Sequence, residues 1–283
     1  VKIQAAIGPT LALVLAFAAA APAAAQDRNA PLPNARNTVT IGLGGAYLPS
    51  YEGSDDYVLA PIAIAFGKIE GIGFATRGTA LYVNFVPTDP NAPFSFDLGP
   101  VANLRLDRAH NIRDPQVSAL GKIGPAVELG GYAGVTKNRV LHRYDKLGVR
   151  VAVTKDVTDT HGSMVVTPAV DYTTPVSTKT AVNLSLSADH VGNGFARTYY
   201  GVTPAGALAS GLPVYSARGG WKSWRSTLLV GQVLTGDLRN PHLSAFATFS
   251  YSRVLGSFAR SPVVAVAGDP NQYLAAAGLA YTF

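Results

Sequence analysis

The chain contains no cysteine, one methionine and five histidines. Without thiols there can be no disulfide, no Cys-ligated zinc and no thiol nucleophile, so stability has to come from backbone pairing and packing. His110, His142, His161, His190 and His242 fall in no H-x-x-x-H or H-E-x-x-H spacing, which removes the usual metallohydrolase signatures. No catalytic residue, metal ligand or cofactor-binding residue is therefore assigned. Charge is scarce too: 14% of residues are charged against 48% hydrophobic, a palette that suits one large β-fold better than an ordinary soluble domain. The net charge is +6, yet no run of five Lys or Arg occurs. The basic residues are scattered among acidic ones, so a nucleic-acid groove is not expected, and weak attraction to anionic lipopolysaccharide is what remains of the basic excess.

Long apolar runs are the last thing missing. Only residues 7–20 form one, and it falls short of the ~20 residues of a spanning helix. Lys2 precedes it and Ala23-Ala24-Ala25 follows it before Gln26, the order of a secretory signal peptide with an A-x-A site. The division expected is a signal peptide over 1–25, an N-terminal periplasmic segment over 26–37 and a β-domain over 38–283.

From Thr38 onward the dominant pattern is period two, which sends successive side chains to opposite faces of a strand. Val182, Leu184, Leu186 and Ala188 oppose Asn183, Ser185, Ser187 and Asp189. Phe94, Phe96 and Leu98 oppose Ser95 and Asp97; Tyr215, Ala217 and Trp221 oppose Ser216, Arg218 and Lys222. The runs have the ~9–11 residues of a tilted barrel strand, and turn formers such as Pro87-Thr88-Asp89-Pro90-Asn91 separate them into hairpins. No helical period is sustained between them. A soluble β-sandwich also alternates, but aromatics recur toward the strand ends (Tyr47, Tyr57, Tyr172, Tyr215, Trp221, Tyr251, Tyr273, Tyr281), as at membrane interfaces. The expected fold is an all-β, transmembrane antiparallel β-barrel of about 12 strands in the outer membrane of a Gram-negative envelope. Residues 72–85 leave 10 or 14 open, and Pro61, Pro100 and Pro168 predict bulges.

The final segment puts Tyr273, Ala275, Ala277, Leu279, Tyr281 and Phe283 on one face. A terminal aromatic on an alternating strand resembles the signal read by the barrel-assembly machinery, and such an edge would pair with the strand starting near Thr38 on closure.

Chemistry is harder to find. Ser187, Asp189, His190 and Asn193 are the best candidates for an outer-membrane lipid hydrolase, but alternation sends His190 outward and Ser187 and Asp189 inward. Glu52, Asp55 and Asp56 offer oxygen ligands to a hard cation, without a recognised calcium spacing. Asp97, Arg105, Glu128, Arg150, Asp171, Asp189, Arg218 and Lys222 face inward with mixed sign, to pair across a filled lumen or tune a pore. The segment 199–212, from Tyr199 to Leu212, is a candidate plug.

Several blocks resemble the MipA/OmpV family of outer-membrane proteins: the opening strand and acidic loop between Gly42 and Tyr57, then Phe96-Asp-Leu-Gly-Pro-Val-Ala-Asn-Leu-Arg105 and Val127-Glu-Leu-Gly-Gly-Tyr-Ala-Gly134. Tyr200-Gly-Val-Thr-Pro204, Ser210-Gly-Leu-Pro-Val-Tyr215, Ser261-Pro262 and Gly278-Leu-Ala-Tyr-Thr-Phe283 continue the likeness. The resemblance implies a non-enzymatic envelope scaffold that partners murein hydrolases or synthases. A small channel and, behind it, a lipid hydrolase are the alternatives.

Overall fold

The computed structural model describes residues 37–89, 91–238 and 242–283. The expected signal peptide and all but Asn37 of the expected periplasmic segment lie outside the described residues. Twelve antiparallel strands close on themselves in sequence order: β1 (Thr38–Pro49), β2 (Tyr57–Ile69), β3 (Ile72–Arg77), β4 (Ala80–Asn84), β5 (Phe94–Arg105), β6 (Ala126–Asn138), β7 (Lys146–Asp156), β8 (Met164–Pro175), β9 (Thr180–Val191), β10 (Gly220–Val233), β11 (His242–Val254) and β12 (Asn271–Thr282). The seam is the expected one, with β1 paired to β12 from Thr40↔Thr282 to Tyr47↔Ala275. The ambiguous stretch 72–85 is a short hairpin, β3 and β4, that counts as two strands.

Alternation sorts the two faces as expected. Leu43, Leu59, Phe96, Leu98 and Leu279 point outward and are 68, 80, 60, 59 and 54% exposed. A belt of that kind has no place in water, whereas hydrocarbon covers it at no cost to the apolar atoms. Aromatic pairs mark its edges: Tyr47 stacks on Tyr57 at 5.1 Å and Tyr251 meets Tyr273 at 5.3 Å near one end, while Tyr281 and Phe283 pack at 4.8 Å at the other.

Both ends of the described chain lie at the same end of the barrel. The connections at the opposite end carry all the helices among the described residues: α1 (Pro115–Ala119), α2 (Asn193–Tyr200), α3 (Pro204–Ser210), α4 (Gly256–Ala259) and α5 (Pro262–Ala265). Outer-membrane barrels put long loops outside and short turns in the periplasm, which orients this one. None of the helices was expected, because pieces of eight residues or fewer sustain no period.

Two further expectations need correction. The strand read through Tyr215, Ala217 and Arg218 begins only at Gly220; Ala217 is buried among the loops and Arg218 is an exposed loop residue. The prolines make no register shift. Pro168 sits where the β8–β9 ladder skips two residues in unchanged register. At Pro100 the β4–β5 ladder stops, and the Leu98 amide donates instead to Asn84 Oδ1 at 3.0 Å. Pro61 pairs with Gly45 of β1 and faces no strand on its other side. β3 reaches β2 only from Phe66 to Ile69, so among the described residues 57–64 have a ladder partner on one side alone. The Ala65 amide donates away from β1, to the Thr76 hydroxyl at 2.9 Å. By alternation the amide that Pro61 lacks would point the same way, into the vacant side, where its loss breaks no ladder bond.

Candidate functional site

The loop-end mouth of the barrel is capped, and α2 supplies the centre of the cap. Its sequence places Phe195, Ala196, Tyr199 and Tyr200 on one face, all buried. They pack with Val165, Val191, Val254, Phe258 and Val264. Gly194 is needed for the fit, since a Cβ there would lie 2.2 Å from the His161 carbonyl oxygen. α3 follows with Thr203 as its N-cap, Pro204 in its first turn and Gly211 left-handed at φ +74° behind it, a start and stop readable from residue type. Arg108 ties the loop before β6 to α2: it is buried and donates to the Tyr199 carbonyl at 3.3 Å and the Gly121 carbonyl at 3.2 Å, a cation at a helix C-terminus. Ser261 donates to the Tyr200 carbonyl at 2.6 Å. The expected plug over 199–212 is thus present, and it begins earlier, at Asn193.

Beneath α2 lies a connected set of charges. Lys222 is 1% exposed; its ammonium meets both Glu52 carboxylate oxygens at 2.7 Å and Asp189 at 3.2 Å. A bulge between Trp221 and Ser223 turns Lys222 and Ser223 inward together. Arg105 Nε donates to Glu128 at 2.6 Å, Asn103 donates to the other Glu128 oxygen at 2.9 Å, and His161 Nε2 lies 3.2 Å from Glu128. The Ser163 amide donates to His161 Nδ1 at 3.2 Å, which leaves Nε2 to carry the proton toward Glu128. The Phe195 ring closes the set from above, 4.7 Å from the Arg105 guanidinium and 5.3 Å from the Lys222 ammonium, so the apolar cap is also held to the charges by cation–π contact.

Glu52 comes from the loop between β1 and β2. Burial would raise its carboxyl, but the Lys222 and Arg105 charges outweigh burial and hold it below its ordinary 4.5. Its amide donates to Asp107 Oδ1 at 2.8 Å. Burial, reinforced by the Glu52 charge, pushes the Asp107 carboxyl up from 3.8 to about 6. The two carboxyls therefore act oppositely. The folded state holds the Asp107 proton where the unfolded chain releases it, so this contribution is present below pH 3.8 and lost as pH rises to about 6. The Glu52 contribution is present above 4.5 and lost in acid. Asp107→Asn is expected to remove the loss between about pH 4 and 6 while keeping the acid-side loss, and urea titrations at a series of pH values would read it. An unchanged pH profile would contradict the assignment.

The other sequence candidates disperse. Asp55 and Asp56 are exposed while Glu52 turns inward; no cluster of three His, Asp or Glu suited to a metal forms among the described residues. His190 packs against Trp221 at 5.3 Å on the outer face, Asp189 is engaged by Lys222 inside, and Asn193 accepts from the Gly219 amide at 2.8 Å, so these residues form no nucleophile and base. Of the inward charges, Arg105, Glu128, Asp189 and Lys222 gather under the cap. Asp97, Arg150 and Asp171 belong to the half of the lumen nearer the chain termini, and Arg218 to neither. His161 and Arg108 were not foreseen, because they stand in connections where alternation is silent; Asp107, which alternation puts inward with Asn103 and Arg105, lies just past the end of β5.

A family model for the MltA-interacting protein MipA matches residues 41–283. The chain belongs to the MipA family. The matched region runs from β1 to Phe283 and so contains the cap and the charges beneath it. No curated protein matches the chain. Similar solved structures include an outer membrane channel from Pseudomonas putida F1 (12% identical, covering 92% of this chain and all of that one, TM-score 0.42). A Pseudomonas putida toluene transporter, TodX, is 11% identical over 89% of this chain and 90% of its own, with TM-score 0.35. The CymD monoaromatic hydrocarbon channel is 11% identical over 89% of each chain, with TM-score 0.36. As a MipA-family barrel with an apolar outer belt, the protein resides in the outer membrane.

Proposed function

We propose that this MipA-family barrel is a closed scaffold of the outer membrane that holds peptidoglycan-remodelling enzymes at its periplasmic side. The observation that carries the reading is the cap: α2 is seated over buried ion pairs with its aromatic face fully covered, an arrangement that fills a mouth rather than lining a path. The family description, interaction with MltA, supports a partner-binding role. A small channel is the second reading, favoured by the polar cavity that lies below the cap. Two measurements separate them. The scaffold predicts that refolded native protein gives no discrete conductance steps in planar bilayers, and that crosslinking in intact cells recovers a murein hydrolase or synthase. Stepwise conductance without such a partner would replace the scaffold with the channel.

A further inference from the structure

The half of the lumen nearer the chain termini holds a cavity of about 500 Å³, within the size range of small-molecule sites. It is lined by the terminus-side parts of β1 to β9 and by Thr88 in a turn at that end, so by the orientation above it faces the periplasm. Its charges do not balance. Lys68, Arg77, Lys146 and Arg150 line it against Asp97 and Asp171, an excess of two positive charges.

Both carboxylates are already engaged. Asp171 pairs with Arg77 at 3.2 Å and with Arg150. Asp97 accepts from Asn84 Nδ2 at 2.7 Å and from the Thr136 hydroxyl at 3.4 Å. The lysines are not offset in this way. Lys68 reaches only the Thr88 carbonyl at 3.3 Å and hydroxyl at 3.5 Å, and Lys146 has no ion-pair partner among the described residues. Arg150 Nε is buried with no hydrogen-bond partner in that set. The Tyr82 ring lies under both guanidinium groups at 5.8 Å and meets Tyr132 edge-on at 5.0 Å, so the wall beside the cations is aromatic.

We propose that this periplasm-facing lumen is a binding site for a small multivalent oxyanion, a compound bearing carboxylate or phosphate groups held by Lys68 and Lys146. The site stands independently of the scaffold reading, since a closed barrel and a channel would both present it.

Calorimetric titration of the refolded full-length barrel in uncharged detergent tests the site, with citrate and inorganic pyrophosphate as probes at low ionic strength. Saturable one-to-one binding of at least one probe is expected; citrate alone marks a carboxylate site and pyrophosphate alone a phosphate site. Lys68→Gln/Lys146→Gln is expected to weaken binding about tenfold or more, the loss of charged hydrogen bonds. Lys137→Gln/Lys179→Gln, the same change of charge at exposed positions, leaves it unchanged. Asp97→Asn, which adds positive charge to the cavity, strengthens binding and covers the case in which the double variant does not fold. Absence of saturable binding to native protein overturns the proposal, as does equal weakening by both double variants.

Discussion

Lys222→Met is expected to lower the unfolding free energy by about 3–5 kcal/mol, the typical cost of removing one partner from a buried ion pair. Lys222 is 2% exposed at its side chain and is the common partner of Glu52 and Asp189. Methionine matches the aliphatic stem as far as Cε, so what is lost is the ammonium with its ion pairs and its cation–π contact with Phe195. What remains is two carboxylates facing each other with Arg105 and Arg225 as the nearby cations, and their repulsion and desolvation set the cost. Urea unfolding from lipid vesicles, followed by tryptophan fluorescence, is a direct readout because Trp221 is the neighbouring residue. Adding Glu52→Gln to the variant removes one of the stranded charges and is expected to restore part of the loss. A change under about 1 kcal/mol, the range of exposed pairs, would show that water reaches this network and that the cap does not seal it.

Removal of α2 is the second large effect. Replacing residues 193–200 by a flexible Gly/Ser linker of equal length is expected to convert a silent barrel into one with discrete conductance in planar bilayers. The helix contributes Phe195, Tyr199 and Tyr200, each essentially inaccessible, and deleting one buried aromatic side chain alone costs about 3–5 kcal/mol, so a partial shift of the helix is unfavourable in the native protein. The opened pore is expected to prefer anions, because Lys68, Arg77, Lys146 and Arg150 outnumber Asp97 and Asp171 in the periplasmic half of the lumen. Lys68→Gln/Lys146→Gln in the same background is expected to reduce that preference, measured as a shift in reversal potential under a salt gradient. A helix-deleted barrel that still conducts nothing would place the seal in α3 and the loop before β6 instead.

The wall of the barrel was legible in the sequence because its physics is local. Outward Leu184 and Leu186 and inward Ser185 and Asp189 follow from a period of two and nothing else, and so does the closing pair of β1 with β12. The cap was only partly legible. Thr203-Pro204 and Gly211 announce α3 by capping chemistry, but α2 has eight residues, begins after an uncapped Gly192, and is helical because the barrel mouth buries its aromatic face. The ion pairs were out of reach for another reason. Glu52 and Lys222 are 170 positions apart, and alternation, which does put Lys222 inward, says nothing of a loop carboxylate that folds in to meet it. Arg218, by contrast, follows the alternation of Trp221 on paper and is exposed in fact, because the strand starts two residues after it. The prolines taught the same lesson in reverse. Each was tolerated where a ladder bond was already missing, so no bulge was required.

The missing partner beside β2 makes the barrel a tube slit along part of its length. At the periplasmic end β2 is tied to β1 on one side and to β3 on the other, and parting it from either there means breaking a ladder. At the loop end, along residues 57–64, the hoop is cut, and Asn111, Ile112 and Arg113 border a hollow of about 610 Å³ against Tyr47 and Leu59. A cut hoop can spring without losing a hydrogen bond. Changes of girth at the outer rim are therefore easiest on the β2 side.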